Sequence, residues 1–365
     1  CGWVYLEGSR EGDGKASCRN TRIPKGLTNM SMERLKYNRT VGLCSMEGRG
    51  FYYPTDTSIG DSGTLYTVSR SIDGDTRGIR VTTYNIEEEY FGTFARNGEE
   101  PGELIWPTAI THTKDGNVIV ADEYMNRITE FDPEGNFVKI LWVSESSDPG
   151  LDGPSGLAVD SDENVYVSDN NNHRIQVLDR SGGLQCSFGE RGAEAGQLQH
   201  PWGLTVAPDG DVYIADWHND RIQRFGVDGT FVRSYGEPGR RSDQLYKPAS
   251  VCVDNDGYLY IADWGNEMVK VMDPEGNVVQ SLRGEATESK WARAFLDINL
   301  EEAAAREKSD LETEVGYFVN DPHEVSSHIE KYFWAPMSVK LDDGDRLYVT
   351  ESNRHRVQIY DLNRQ

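Results

Sequence analysis

Short apolar segments alternate with tight turns along most of the chain. The stretch VYIADWHNDRIQRFGVDGTFVRSYG, residues 212–236, shows the pattern well. Its valine, isoleucine, tyrosine and phenylalanine positions favour pleated strands, and its Asp-Gly pair favours a tight hairpin turn. The pattern therefore predicts short antiparallel strands joined by polar loops.

This pattern recurs at a fixed period. Four segments align without gaps at a step of 47 residues, each with a proline that opens the first strand and an aspartate 15 residues later. A later unit keeps the offset with glutamate as the acid, and a degenerate unit with serine in that place comes first. Six such units predict an all-β, six-bladed β-propeller. The paired positions are Pro54/Ser69, Pro107/Asp122, Pro154/Asp169, Pro201/Asp216, Pro248/Asp263 and Pro336/Glu351.

The last unit has three predicted strands, and its fourth is expected at the other end of the sequence. The segment TVGLCSMEGRG, which begins at Thr40, resembles the fourth-strand segment QCSFGERG at Gln185. We therefore predict that a strand over residues 39–46 pairs with the last strand and closes the ring, which leaves no open blade interface. The predicted domains are an extended arm over residues 1–38 and a propeller over residues 39–365.

The stretch VYVSDNNNHRIQVLD in the third unit resembles the core of an NHL repeat, and near-matches of its tripeptide recur as MNR, HND, GNE and RHR. The resemblance covers about residues 50–285 and 334–362. It implies an NHL-type propeller, a family that includes secreted lyases, lactonase-like hydrolases, receptor sensor domains and interaction scaffolds. Because one fold hosts so many activities, function has to be inferred from the site.

The amidating lyases of this fold class hold a zinc ion with three histidines, typically just after the opening prolines. None of those positions is histidine in this sequence, which disfavours a zinc lyase of that type. The residues there are Thr55, Thr108, Ser155, Trp202, Ala249 and Met337.

In most units an arginine follows the repeated acid by five residues, as Arg174 follows Asp169. This offset places the two side chains on adjacent strands, where a guanidinium can bind a carboxylate. Since the pair recurs in almost every unit, we predict a structural role for it. The fifth unit departs from the pattern, because Met268 stands where the arginine is expected and leaves Asp263 without that partner.

Tryptophans concentrate on one predicted face of the propeller. The loop after each repeated acid and the connection into the next opening proline share a face, and five of the eight tryptophans lie there. Aromatic side chains offer a surface for stacking on sugars, cations or the apolar groups of a partner. We predict that this face binds a ligand or partner through Trp106, Trp202, Trp217, Trp264, Trp334, Glu123 and Asn170.

Residues 286–331 interrupt the repeat between the fifth and sixth units, and their pattern is helical. Trp291, Phe295 and Ile298 fall on one face of a helix, and EEAAAREKSDLETE continues with good helix formers. A second short helix is predicted around Val325. Because the insertion leaves from the tryptophan-rich face, we predict a lid or a docking element with Trp291 and Phe295 as contact residues.

Charge and cysteine content narrow the partners and the compartment. The net charge of −24 disfavours nucleic acid or an anionic membrane surface as a partner. The sequence opens on Cys1, which predicts either lipidation of that thiol or a disulfide with Cys18 or Cys44. These features favour an extracytoplasmic location, with membrane contact only through a lipid on Cys1.

No nucleophile motif or phosphate loop is present in the sequence. We predict a non-catalytic, extracytoplasmic binding or scaffold propeller without a cofactor, whose Trp-rich, helix-decorated face meets a protein partner in a larger assembly or a ligand. The alternative is a divalent-cation-dependent lyase or lactonase-like hydrolase, with Ca²⁺ held in the central channel by Glu123, Asn170 and Asp263. A third possibility is a carbohydrate-binding module that uses the tryptophans of the same face.

Overall fold

Six four-stranded antiparallel sheets follow one another along the chain. The inner strand of each sheet lies beside that of the next, and the sixth lies beside the first. This cyclic arrangement is a six-bladed β-propeller, which confirms the predicted fold class. The computed structural model describes residues 33–364 apart from 61, 73–74, 144–149, 314–315 and 317–319.

Each blade runs from an inner strand at the channel to an outer strand at the rim. The first strands in chain order are β1 (Leu35–Val41), the outer strand of blade 6; β2 (Pro54–Ile59), β3 (Thr64–Ser69), β4 (Arg80–Asn85) and β5 (Tyr90–Phe94) in blade 1; and β6 (Pro107–His112), β7 (Val118–Asp122), β8 (Arg127–Phe131) and β9 (Phe137–Val143) in blade 2. Blade 3 contains β10 (Pro154–Val159), β11 (Val165–Asp169), β12 (Arg174–Leu178) and β13 (Leu184–Phe188), and blade 4 contains β14 (Pro201–Val206), β15 (Val212–Asp216), β16 (Arg221–Phe225) and β17 (Phe231–Tyr235). A short parallel pair, β18 (Glu237–Pro238) and β19 (Gln244–Leu245), precedes blade 5 with β20 (Pro248–Val253), β21 (Leu259–Asp263), β22 (Met268–Met272) and β23 (Val278–Leu282), and blade 6 has β24 (Pro336–Leu341), β25 (Arg346–Glu351) and β26 (Arg356–Leu362). The helices of the insertion are α1 (Lys290–Ile298), α2 (Leu300–Lys308) and α3 (Pro322–His328).

Every inner strand opens at the proline that marks its repeat, a position where the missing N–H costs no ladder hydrogen bond. The strands are joined by tight turns in which glycine supplies the left-handed backbone. Gly210 in the first turn of blade 4 has a φ of +89°, and Gly229 in its last turn has a φ of +77°. The Asp-Gly signals of the sequence therefore mark real hairpins.

The closing strand is β1, which pairs antiparallel with β26 from Leu35–Leu362 to Val41–Val357. The predicted bounds of 39–46 are wrong at both ends. The strand ends before Gly42, whose φ is +129° and whose Cβ, if present, would lie 2.8 Å from the backbone of Arg356. Gly42 thus takes the place that Gly189 takes after β13.

In blades 3 to 6 the repeated acid binds a side chain of the neighbouring strand in its own blade, whereas in blade 2 Asp122 accepts backbone N–H groups and Arg127 donates to the carbonyls of Glu99 and Glu103. The buried Asp169 accepts hydrogen bonds from Arg174 Nε (2.8 Å), Gln176 Nε2 (2.8 Å) and the backbone of Asp152 (2.7 Å). Blades 4 and 6 repeat this arrangement. In blade 5 Lys270 occupies the glutamine position, and its Nζ lies 2.9 Å from Asp263 Oδ2 with both side chains fully buried. The missing arginine is therefore replaced by a lysine two residues further on.

In blades 2 to 6 a side chain four residues after the repeated acid bonds the blade to the next one. In five blades this residue has a left-handed backbone and accepts the N–H of the residue before the next opening proline. We call this contact the blade latch. Because the latch histidines accept through Nδ1, they have to be neutral. The acceptor–donor pairs are Asn126–Gly153, His173–His200, Asp220–Lys247, Glu267–Ala335 and His355–Tyr53.

The blade latch at the ring closure is expected to make the fold sensitive to acid. Burial lowers the pKa of His355 from 6.5 to about 4, whereas the unfolded chain takes up this proton near pH 6.5. Stability is therefore lost as the pH falls from 6.5 towards 4. A His355→Asn variant keeps an acceptor, as Asn126 does in blade 2, but does not titrate. Between pH 7 and pH 4.5 we expect the wild type to lose about 2 kcal/mol relative to this variant.

Chemical denaturation of both proteins across this pH range measures the difference. A difference in free energy of unfolding that stays constant with pH would show that His355 does not carry the acid sensitivity.

The insertion begins and ends beside the tryptophan-rich face, where the N–H of Phe333 bonds the carbonyl of Arg283. From there α1 reaches the ring closure, where the carboxylate of Glu88 accepts the backbone N–H groups of Lys290 (2.7 Å) and Trp291 (3.0 Å). The Trp291 indole is 1% exposed. Trp291 is therefore a packing residue and not a surface contact, contrary to expectation.

The remainder of the predicted apolar helix face is open to solvent. Phe295 is 39% exposed and Ile298 80% exposed, because Asn299 ends α1 and redirects the chain into α2. The second predicted helix corresponds to α3, which packs on the loop after β21.

Candidate ligand-binding face

The inner strands nearly close the central channel. A Cβ atom on Gly156 would lie 2.3 Å from the carbonyl oxygen of Trp202, and one on Gly203 would lie 2.6 Å from that of Ala249. The cavity left among the channel-lining residues has a volume of about 20 Å³. Since this space suits a single water molecule, the channel itself has no room for a larger ligand.

Three of the five predicted tryptophans form a row at the mouth of the channel. Trp202 lies on β14, and Trp217 and Trp264 lie in the single-turn helices after β15 and β21. Neighbouring ring centroids are 5.2 and 5.0 Å apart, at interplanar angles of 35° and 42°. Trp217 in the middle is only 6% exposed, whereas Trp202 and Trp264 are half-buried. The surface available to a ligand therefore belongs to the two outer indoles.

The other two predicted tryptophans lie outside this row. The guanidinium of Arg70 lies 5.0 Å from the ring centre of Trp106. Trp334 contacts His323 of α3 through its indole nitrogen (3.1 Å) and lies beneath the guanidinium of Arg354 at 5.2 Å. These tryptophans connect blades or hold the insertion, which was not apparent from their positions in the repeat.

The three residues proposed to hold a cation are engaged separately. Glu123 lies near Arg70, and burial raises the pKa of its carboxyl. Asn170 donates to the carbonyl of Pro201 at 2.9 Å, and Asp263 is paired with Lys270. Among the described residues, no three His, Cys, Asp or Glu side chains have an arrangement that fits a metal ion. Glu123, Asn170 and Asp263 thus each have a neighbouring group of their own in this structure.

The structure also brings together three histidines that lie far apart in the sequence. The ring centroids of His173 and His200 are 4.5 Å apart, and those of His200 and His218 are 4.6 Å apart. Burial, followed by nearby positive charge, lowers the pKa of all three, so they are neutral at pH 7. His200 also contacts the side chain of Asn170 at 2.9 Å. This cluster extends the polar part of the face next to Trp202.

The sequence signal for this cluster was the latch position, since His173 and His200 are an acceptor and donor pair of the blade latch. Without the topology, residues so far apart in the chain could not be assigned to one surface.

The cysteine predictions are tested only in part. Cys1 and Cys18 lie outside the described residues. Cys44 and Cys186 are free and exposed, whereas Cys252 is free and buried. Cys186 lies on the outer strand β13, which faces solvent. No helix in the described part of the chain is long and apolar enough to cross a membrane.

Comparisons with known proteins agree with this architecture. Residues 151–178, 198–225 and 333–360 match the model of the NHL repeat. These segments correspond to blades 3, 4 and 6. No curated protein matches the sequence.

Solved structures resemble the fold at low sequence identity. A virginiamycin B lyase from Staphylococcus aureus superimposes with a TM-score of 0.54 at 13% identity, covering 90% of this chain and 100% of that one. A streptogramin B lyase gives 0.51 at 12% identity, with coverage of 90% and 87%. A structural genomics protein of unknown function from Bacteroides thetaiotaomicron gives 0.55 at 16% identity, with coverage of 89% and 72%. At such identities the likeness establishes the fold alone.

Proposed function

Because the chain is a six-bladed β-propeller with NHL repeats, we propose that it is a non-catalytic binding module, acting outside the cytoplasm, whose Trp-rich face engages a protein partner or ligand. The observation that carries this proposal is the row of indoles at a nearly closed channel. The two outer indoles, Trp202 and Trp264, leave aromatic surface open beside polar side chains such as His218 and Asn170. Aromatic anchors with a polar surround are typical of binding sites.

Exchange of the two outer indoles for alanine is expected to weaken binding. Peptides selected from a phage-displayed library on the wild type, and hits from a glycan microarray, are tested against a Trp202→Ala/Trp264→Ala double variant. We expect their affinity to fall at least about tenfold, because aromatic anchors dominate binding energy. Loss of peptide binding in the variant would indicate a peptide-binding face, and loss of glycan binding would indicate a carbohydrate-binding face.

Phe137→Ala, which removes an exposed ring from the rim strand β9, is the matched control and is expected to keep full affinity. Ligands that bind the double variant and the wild type equally would place the binding site elsewhere.

A divalent-cation-dependent lyase or lactonase-like hydrolase is the second candidate, favoured by the histidine cluster beside the mouth. One similar structure is a catalytically inactive histidine-to-alanine variant of a virginiamycin B lyase with quinupristin. In this chain Nδ1 of His173 accepts the backbone N–H of His200, and Nδ1 of His200 contacts Asn170, whereas the ring nitrogens of His218 have no hydrogen bond to a described residue. Metal analysis of the purified protein separates the candidates, since a stoichiometric divalent cation would favour the enzyme.

A further inference from the structure

Helix α3 of the insertion is held on the propeller by one histidine that faces two different partners. His323 Nδ1 lies 2.6 Å from Glu267 Oε1, and its Nε2 lies 3.1 Å from the indole nitrogen of Trp334. The carboxylate of Glu267 is 1% exposed, and its second oxygen accepts the N–H of Ala335 in the blade latch. His323 therefore joins the insertion to the junction of blades 5 and 6.

The protonation state of His323 follows from these partners. The indole nitrogen of Trp334 can only donate a hydrogen bond, so Nε2 has to carry a lone pair. An ionised Glu267 can only accept, so Nδ1 has to carry the proton. The contacts thus require the neutral imidazole in a single tautomer.

A second proton on His323 would satisfy one partner and repel the other. It strengthens the bond to Glu267 by making it charge-assisted, but it turns Nε2 into a donor that faces the N–H of Trp334. That indole bond is then lost. The hydrogen bond to the Glu267 carboxylate raises the pKa of His323 above its ordinary value near 6.5.

We propose that His323 is a proton-operated catch for α3, which releases Trp334 when the imidazole becomes charged. The release acts on the binding face, because α3 packs on the single-turn helix that contains Trp264. Arg354, which donates to the carbonyls of Ser326 and Ser327 on α3, limits the movement by keeping the far end of the helix attached. The catch is a property of the insertion and does not depend on which ligand the face binds.

Other charges around the catch favour the charged state of His323. Acidic groups on the same helix lie near the imidazole, whereas the basic groups of neighbouring strands are already bonded to α3 or to another acid. The groups facing the catch are Asp321 and Glu324 of α3, Glu267 after β21, Arg283 after β23, and Glu351, Arg354 and Arg356 of blade 6.

Two substitutions of His323 hold the catch in opposite states. The amide of His323→Gln can donate to Glu267 and accept from Trp334 without titrating, whereas His323→Lys can only donate. Two quantities are measured between pH 5.5 and 8.5. The first is the hydrogen-exchange rate of the α3 amides. The second is the fluorescence of Trp334, obtained by subtracting the fluorescence of a Trp334→Phe variant. His218→Gln, which removes an exposed histidine on the same face, is the control.

In the wild type and the control we expect one transition, with α3 exchanging about fivefold faster on its acidic side, as the loss of one hydrogen bond implies. We expect His323→Gln to show slow exchange and His323→Lys fast exchange at every pH. A transition that persists in His323→Gln, or equal exchange in the two variants, would overturn the proposal.

Discussion

Replacing Trp291 with alanine is expected to lower the free energy of unfolding by about 3–5 kcal/mol. The indole is enclosed by the rings of Phe51, Tyr84 and Tyr90, with centroid distances of 5.7, 5.5 and 6.4 Å. Its Nε1 donates to the carbonyl of Glu88 at 2.6 Å. The substitution therefore leaves a cavity and an unsatisfied carbonyl at the place where the ring closes.

Ile298, the last residue of the same helix, is the control position. Its side chain is 80% exposed, so Ile298→Ala is expected to change the free energy of unfolding by less than about 0.5 kcal/mol. Guanidinium chloride unfolding of the two variants compares them directly. A loss of unfolding free energy for Trp291→Ala as small as that for Ile298→Ala would mean that α1 does not stabilise the ring closure.

This contrast shows how far helical periodicity predicted the insertion. The spacing of Trp291, Phe295 and Ile298 identified α1 correctly, because a helix places these positions on one face. It could not show that only the first of them reaches the core. That depends on the aromatic pocket formed by blade 1 and the closing segment, which are distant in sequence.

The repeat itself was predictable for a different reason. Each blade packs against its neighbours in the same way, so prolines, acids and turn glycines recur at equal steps. The single exception in blade 5 was visible as Met268, but its compensation by Lys270 was not. A lysine at that position is unremarkable in sequence, and its function follows from the register that pairs it with Ile261 beside Asp263.

The blades differ in the residue that each places directly after its repeated acid. The position after each repeated acid faces the mouth, and its residues change from charged or polar in blades 1–3 to tryptophan in blades 4 and 5. In blade 6 this residue is Ser352, so the mouth is aromatic in two neighbouring blades and polar or charged in the other four. A ligand that covers both would need polar groups on one side and an apolar or sugar face on the other.

Lys270→Met is expected to be the most damaging substitution in blade 5, with a loss of about 3–5 kcal/mol at pH 8. It removes the cation from Asp263, a fully buried carboxylate whose pKa is already raised by burial. Without Lys270 this pKa rises further, so the folded state binds a proton more tightly than the unfolded chain. Stability is then recovered as the pH falls, and the loss measured at pH 5 is expected to be smaller than at pH 8.

The arrangement of blades 3, 4 and 6 indicates how to repair this variant. There an arginine and a glutamine both donate hydrogen bonds to the repeated acid, as Arg221 and Gln223 do to Asp216 at 2.9 and 3.0 Å. The double variant Met268→Arg/Lys270→Gln rebuilds this pair around Asp263, and we expect its stability to lie within about 1 kcal/mol of the wild type. Denaturation of the single and double variants at pH 8 measures the recovery. If the double variant is as unstable as Lys270→Met, the buried ammonium has a role in blade 5 that the repeat does not encode.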